Sequence, residues 1–128
     1  MFELPTVQGL TVCELYIVDE KSKNVTLVNQ FTTLKSDRFP TAPKKFSVFA
    51  ILVNGFGEVP LRLELLGLAT EEVLLESTNS VRMPDRLTSV RYAFNGLDVE
   101  FPADGGYELA LYAMDEPLAR CRFRLVAA

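Results

Sequence analysis

The sequence has no histidine, no tryptophan and only two cysteines in its 128 residues. Without histidine it lacks the commonest general base near neutral pH and the commonest transition-metal ligand. A Ser-His-Asp triad, a Cys-His dyad and the ordinary catalytic zinc site are therefore excluded within this chain. Long apolar runs are also missing. The longest, Val48 to Val53, is about a third of what a membrane-spanning helix requires, so no membrane is expected as a partner. Met1 to Leu10 carries no basic segment followed by an apolar run, which removes the pattern of a secretory signal and makes the cytoplasm the expected location. In that compartment Cys13 and Cys121 are expected as reduced, buried thiols. Basic charge is in short supply: 13 lysines and arginines stand against 17 acids, a formal charge of −4. Such a field repels phosphate polymers, and nucleic acid is not an expected partner. Glycine and proline, seven of each, are too few for a collagen or a low-complexity segment.

What remains is the composition of a globular protein, 48% hydrophobic and 23% charged. At 14.3 kDa size scaling gives roughly 6,800 Å² of exposed surface, enough burial for one core. Residues 1–128 are read as one domain, with no repeat and no internal linker. Period-two alternation recurs along the chain, and no window of a dozen residues sustains helical spacing. In the last segment Ala119, Cys121, Phe123 and Leu125 point one way while Arg120, Arg122 and Arg124 point the other, the pattern of a strand with one wet face. Tyr107 to Ala113 alternates likewise, and a turn around Asp115, Glu116 and Pro117 makes these two a hairpin.

Upstream, Val90 to Phe101 reads as a strand interrupted at Asn95 and Gly96, a tight turn or a bulge. Leu61 to Leu65 and Val73 to Ser77 form another hairpin. Gly55 and Gly57 around Phe56 give a further hairpin signal. The first half yields strands over Leu10 to Val18, Val25 to Leu34 and Phe46 to Val53, with a proline-containing loop between the last two. About seven to eight short strands with turn signals predict an all-β fold, an antiparallel two-sheet β-sandwich. Asp104, Gly105, Gly106 and Tyr107 come close to the tyrosine corner of immunoglobulin-like sandwiches. The topological alternative is a jelly roll.

Candidate sites are few. Arg120, Arg122 and Arg124 could face an anion or an acidic partner, spaced about 7 Å apart. The plainer reading is a solvated face on which Glu108, Glu64 or Glu100 pairs across the row. Carboxylates occur mainly as adjacent pairs in turns, which supports neither a glycosidase pair nor a calcium loop, although Asp98 to Asp104 comes nearest to one. No glycine-rich phosphate cradle is followed by lysine and serine or threonine. Tyr16, Tyr92, Tyr107 and Tyr112 fit a ligand groove or, more simply, the core and its rim. No catalytic residue, cofactor site or metal site is assigned.

The oddity is Phe46 to Val53. Phe46, Val48, Ala50 and Leu52 share one face, while Phe49, Ile51 and Val53 share the other, so this strand lacks a polar outside. Its second face needs cover from the chain's own termini, from the loop Lys35 to Lys45, or from another protein. Phe46, Phe49, Ile51 and Val53 are the candidate interface.

Cys13 and Glu14 in the opening strand, Lys23 through Val25, Leu27 and Val28 to Phe31, and the loop Arg38, Phe39, Pro40 form one ordered set of features. Gly105, Gly106 and Tyr107 continue it, and Arg122, Phe123, Arg124, Leu125 and Val126 close it. In this order and spacing the chain resembles an uncharacterised family of small single-domain bacterial β-sandwich proteins. The resemblance implies a bacterial cytoplasmic sandwich and brings no catalytic residues. In the Arg38, Phe39, Pro40 loop, phenylalanine is expected to plug the sandwich end. The functional expectation is a non-enzymatic protein-interaction or assembly module that self-associates as a homo-oligomer. The alternative is a sandwich that binds carbohydrate or another small polar ligand through the loops at one end.

Overall fold

The computed structural model describes residues 2–128. Among these described residues nine strands occur and no helix: β1 (Thr6–Val18), β2 (Val25–Gln30), β3 (Thr33–Ser36), β4 (Lys44–Val53), β5 (Gly57–Gly67), β6 (Val73–Met83), β7 (Val90–Val99), β8 (Gly105–Ala113) and β9 (Glu116–Ala127). They form one sheet in the order β2-β1-β4-β7 and a second in the order β3-β9-β8-β5-β6. The inward residues of both sheets build one core, including Val48, Leu52 and Phe94 from the first and Leu63, Leu109, Phe123 and Leu125 from the second. Burying a phenylalanine such as Phe101 or Phe123 stabilises the fold by about 2–3 kcal/mol.

The strand order is immunoglobulin-like. β4 and β7 lie centrally and at the edge of one sheet, while the hairpins β8–β9 and β5–β6 sit side by side in the other, the arrangement of strands B and E facing G, F, C and C′. The jelly roll is thereby set aside. Tyr107, at the start of β8, donates its hydroxyl to the Ala103 carbonyl at 2.5 Å. This is the tyrosine-corner bond, and it closes the turn leading into the strand. Phe39 packs against the core, as its place before Pro40 suggested.

Several local expectations need correction. Val25 to Leu34 is two strands: β2 pairs with β1, whereas β3 crosses to the second sheet and runs parallel to β9, the one parallel pair. The break follows Asn29, whose φ of 52° turns the backbone left-handed, a conformation asparagine tolerates better than most residues. The segment Gly55-Phe56-Gly57 is a crossover between sheets and not a hairpin. A side chain at Gly55 would collide with the Met83 sulfur and with Pro5. Asn95 and Gly96 form a bulge within β7, where the β4 register shifts and Gly96 has φ 65°. Between β8 and β9 the turn is Met114-Asp115, both at positive φ, the primed turn whose twist suits a two-residue hairpin loop.

Beyond Cys13 the first strand changes partners. Its register with β4 ends at Cys13↔Ser47, while its register with β2 continues to Val18↔Val25. The β1–β2 hairpin curls over the outer face of β4: the Tyr16 ring lies 6.3 Å from that of Phe49, and the Asn95 amide of β7 donates to the Tyr16 hydroxyl at 2.7 Å. That hairpin is the cover which the apolar outer face of β4 requires.

Candidate functional site

Departure of β1 from β4 leaves a cleft at one end of the sandwich. Glu14 follows the last β1–β4 pair, the chain crosses between sheets at Phe31 and Thr32, and β4 begins at Lys44. The space between them is an open groove of about 530 Å³, within the range of small-ligand and peptide sites. Phe31, Leu34 and Phe46 make its apolar floor. Phe31 is fixed by its N–H, which donates to the Val12 carbonyl at 3.3 Å, and by an edge-on contact with Phe123 at 5.5 Å. This ties the floor to the aromatic cluster of Phe46, Phe101, Tyr107 and Phe123.

The rim is polar. The Asn29 amide donates to the Glu14 carboxylate at 2.6 Å, so the left-handed turn and the acid hold one another. On the other side are Lys44, half-buried, and Lys45, exposed. Every ion pair found among the described residues uses arginine, so neither lysine has a carboxylate within 4 Å, although Asp98 lies opposite Lys45 across the β4–β7 ladder. The backbone there is also half used: Lys44 to Phe46 pair with Val99, Asp98 and Leu97 of β7, and β1 supplies no register partner on the opposite side.

The residues expected to form a site lie elsewhere. Phe46 is 3% exposed and belongs to the core, and Phe49 is 7% exposed beneath Tyr16. Ile51 and Val53 are half-buried. As the interface expected from the sequence, Phe46 and Phe49 are therefore withdrawn: Phe46 faces the core and only borders the groove, and the chain's own hairpin covers Phe49. The arginine row follows its plainer reading. Glu108, 5% exposed, receives Arg120 at 3.4 Å and Arg122 at 3.2 Å. Arg124 joins neither pair and borders a shallow groove with Thr32, Leu68 and Gly106. Glu64 pairs with Arg62 instead, whose guanidinium also stacks on Tyr112 at 4.3 Å.

The tyrosines do not converge: Tyr107 is committed to Ala103, Tyr112 to Arg62, Tyr92 to Phe94 and Tyr16 to Phe49 and Asn95. Two turn acids are spent locally. Asp19 accepts from the Lys21 and Ser22 amides, and Asp85 from those of Leu87 and Thr88. These bonds hold both carboxyls below the usual aspartate range. No group of three or more acids and thiols among the described residues could hold a metal ion, and none of the described residues forms a helix long and apolar enough to cross a membrane.

Cys13 and Cys121 are both free. Burial pushes the Cys13 thiol up; burial and then the Glu108 charge push that of Cys121 up to about 11. Of the cleft residues only Phe46 was among the candidates named from the sequence. Lysines at 44 and 45, placed just before a strand apolar on both faces, were the available signal.

No curated protein matches the sequence. Among solved structures, an immunoglobulin-like protein from Pseudomonas aeruginosa is similar at 15% identity and a TM-score of 0.47, over 95% of this chain and 96% of that one. A likeness that loose carries no argument, and the assignment of the sandwich rests on the strand order itself. Residues 8–126 match the family described as "Family of unknown function (DUF6941)".

Proposed function

We propose a role for this chain from the premise that it belongs to that family of unknown function: it is a non-enzymatic protein-interaction module that self-associates through the β1–β2 hairpin. The observation that carries this reading is the outer side of the hairpin. Leu15 and Ile17 share one face of β1 and are 42% and 54% exposed, opposite Val28 and Thr26. Beside them β2, Val25–Gln30, is a free sheet edge without a charged residue. A free edge offers unpaired N–H and C=O groups to another strand, and adjacent apolar side chains add burial to the hydrogen bonds.

The favoured occupant is a second copy. A chain of net charge −4 repels itself, and an uncharged edge is where two copies can meet about a two-fold axis without placing like charges opposite. The location this reading adopts is the cytoplasm, where both thiols stay reduced. Binding of a small polar ligand gains no comparable support, since the four tyrosines do not converge and no pocket among the described residues gathers the loop acids with them.

Sedimentation velocity from about 1 to 100 µM tests the pairing. A concentration-dependent dimer is expected, lost in the Leu15→Lys/Ile17→Lys double variant. A monomer throughout that range, or a dimer indifferent to both substitutions, refutes it.

A further inference from the structure

We propose that the cleft between Asn29 and Lys44 is a second binding site, which takes an extended acidic peptide segment as an added strand along Lys44 to Phe46. It borders the end of the β2 edge at Asn29 and Gln30 but does not depend on pairing there. Three observations converge. The backbone of Lys44 to Phe46 is paired on the β7 side only, because β1 leaves β4 at Cys13↔Ser47. Such a stretch, recessed in a groove, accepts a short strand and excludes a broad one. The groove floor of Phe31, Leu34 and Phe46 is apolar and held by the aromatic cluster behind it, which suits alternate apolar side chains of an incoming strand.

Charge chooses the partner. Lys44 is half-buried on the face it shares with Phe46, Lys45 follows it, and neither has an ion-pair partner among the described residues. The acid on the groove's far rim, Glu14, is fixed there by the Asn29 amide at 2.6 Å and keeps its charge, so incoming carboxylates fall on the lysine side. An unpaired ammonium at the edge of an apolar groove gains most from a carboxylate delivered beside it. A strand that alternates apolar and acidic residues supplies both halves of that complement.

The test uses fluorescein-labelled acetyl-(Val-Glu)₃-amide, its Val-Lys counterpart, and the acidic peptide N-methylated at alternate residues. Fluorescence polarisation is measured on the full chain and on Leu15→Lys/Ile17→Lys, so that a failure of self-association does not enter the result. Saturable binding of the acidic peptide is expected, about tenfold weaker for the lysine peptide and for the Lys44→Glu variant. Amide resonances of Lys44, Lys45 and Phe46 should shift on binding, and N-methylation should abolish it. Equal binding of acidic and basic peptides, undiminished binding of the N-methylated one, or unshifted Lys44–Phe46 amides overturns the proposal. Should Lys44→Glu fail to fold, the three peptides on the wild-type chain decide the matter alone.

Discussion

The two outer faces of the sandwich deal with water in opposite ways. On the β4 face the chain doubles back: the β1–β2 hairpin lays Tyr16 over Phe49, and the apolar side chains that result, Leu15 and Ile17, come to lie on the hairpin's far side. On the β8 face no second layer is used. Glu108 and Ala110 are buried under their own neighbours, with Arg120 and Arg122 folded over the carboxylate and Arg62 laid on Tyr112. Cover by another element moves an apolar surface outward and leaves it exposed there. Cover by long charged side chains ends the matter, because their stems shield the sheet while their heads stay in solvent. Only the first solution leaves something for a partner to bury.

The contrast predicts unequal sensitivity to mutation. Phe49→Ala should cost about 3 kcal/mol in urea unfolding, the usual penalty for removing a buried phenyl ring. It should also free the hairpin, seen as faster amide exchange between Glu14 and Asn29. A loss below about 1 kcal/mol with an unchanged hairpin would mean that Phe49 is not what holds it. Glu108→Ala should cost about 1 kcal/mol, since its arginine partners are half in water and screened. Arg122→Ala should cost less still. If Glu108→Ala proved as damaging as Phe49→Ala, the β8 face would be a packed layer like the other.

The smallest expected effect uses the two thiols as reporters, one for each sheet. Burial first and then the Glu108 charge push the Cys121 thiol up to about 11, whereas burial alone raises Cys13. An unfolded thiol loses its proton near its ordinary value of 9.0, before the folded Cys121 does. That group's contribution to stability is therefore full below pH 9.0 and declines as pH rises toward 11. Iodoacetamide alkylation against pH should show Glu108→Ala lowering the apparent pKa of Cys121 and leaving Cys13 where it was. Parallel movement of both thiols would remove the distinction between the faces.

Much of this could be read in the sequence wherever a side chain's environment is set by its nearest neighbours along and across strands. Alternation in Tyr107–Ala113 and Ala119–Leu125 gave the correct inward faces, Asn95-Gly96 marked the bulge, and Glu108 was already a candidate partner for the arginine row. The apolar outer face of β4 correctly signalled a missing cover. Its source was not legible, because Tyr16 looks like any rim tyrosine until β1 is known to abandon β4. The division of Val25–Leu34 was hidden for a related reason: no glycine or proline interrupts the run where the strand changes sheet, and only Asn29 hinted at the break. The cleft itself exists because pairing between two strands stops at Ser47, a tertiary event with no local trace.

The parallel strand β3 carries a consequence for biosynthesis. Its residues Thr33 to Ser36 pair with Arg124 to Ala127, and the Ser36 carbonyl accepts the Ala128 N–H at 2.8 Å. β3 thus waits on β9, about ninety residues later, before its own place is fixed, whereas β1 and β2 already pair with each other and β1 with β4. Until then Phe31 lacks its contact with Phe123 and the floor of the cleft is unfinished.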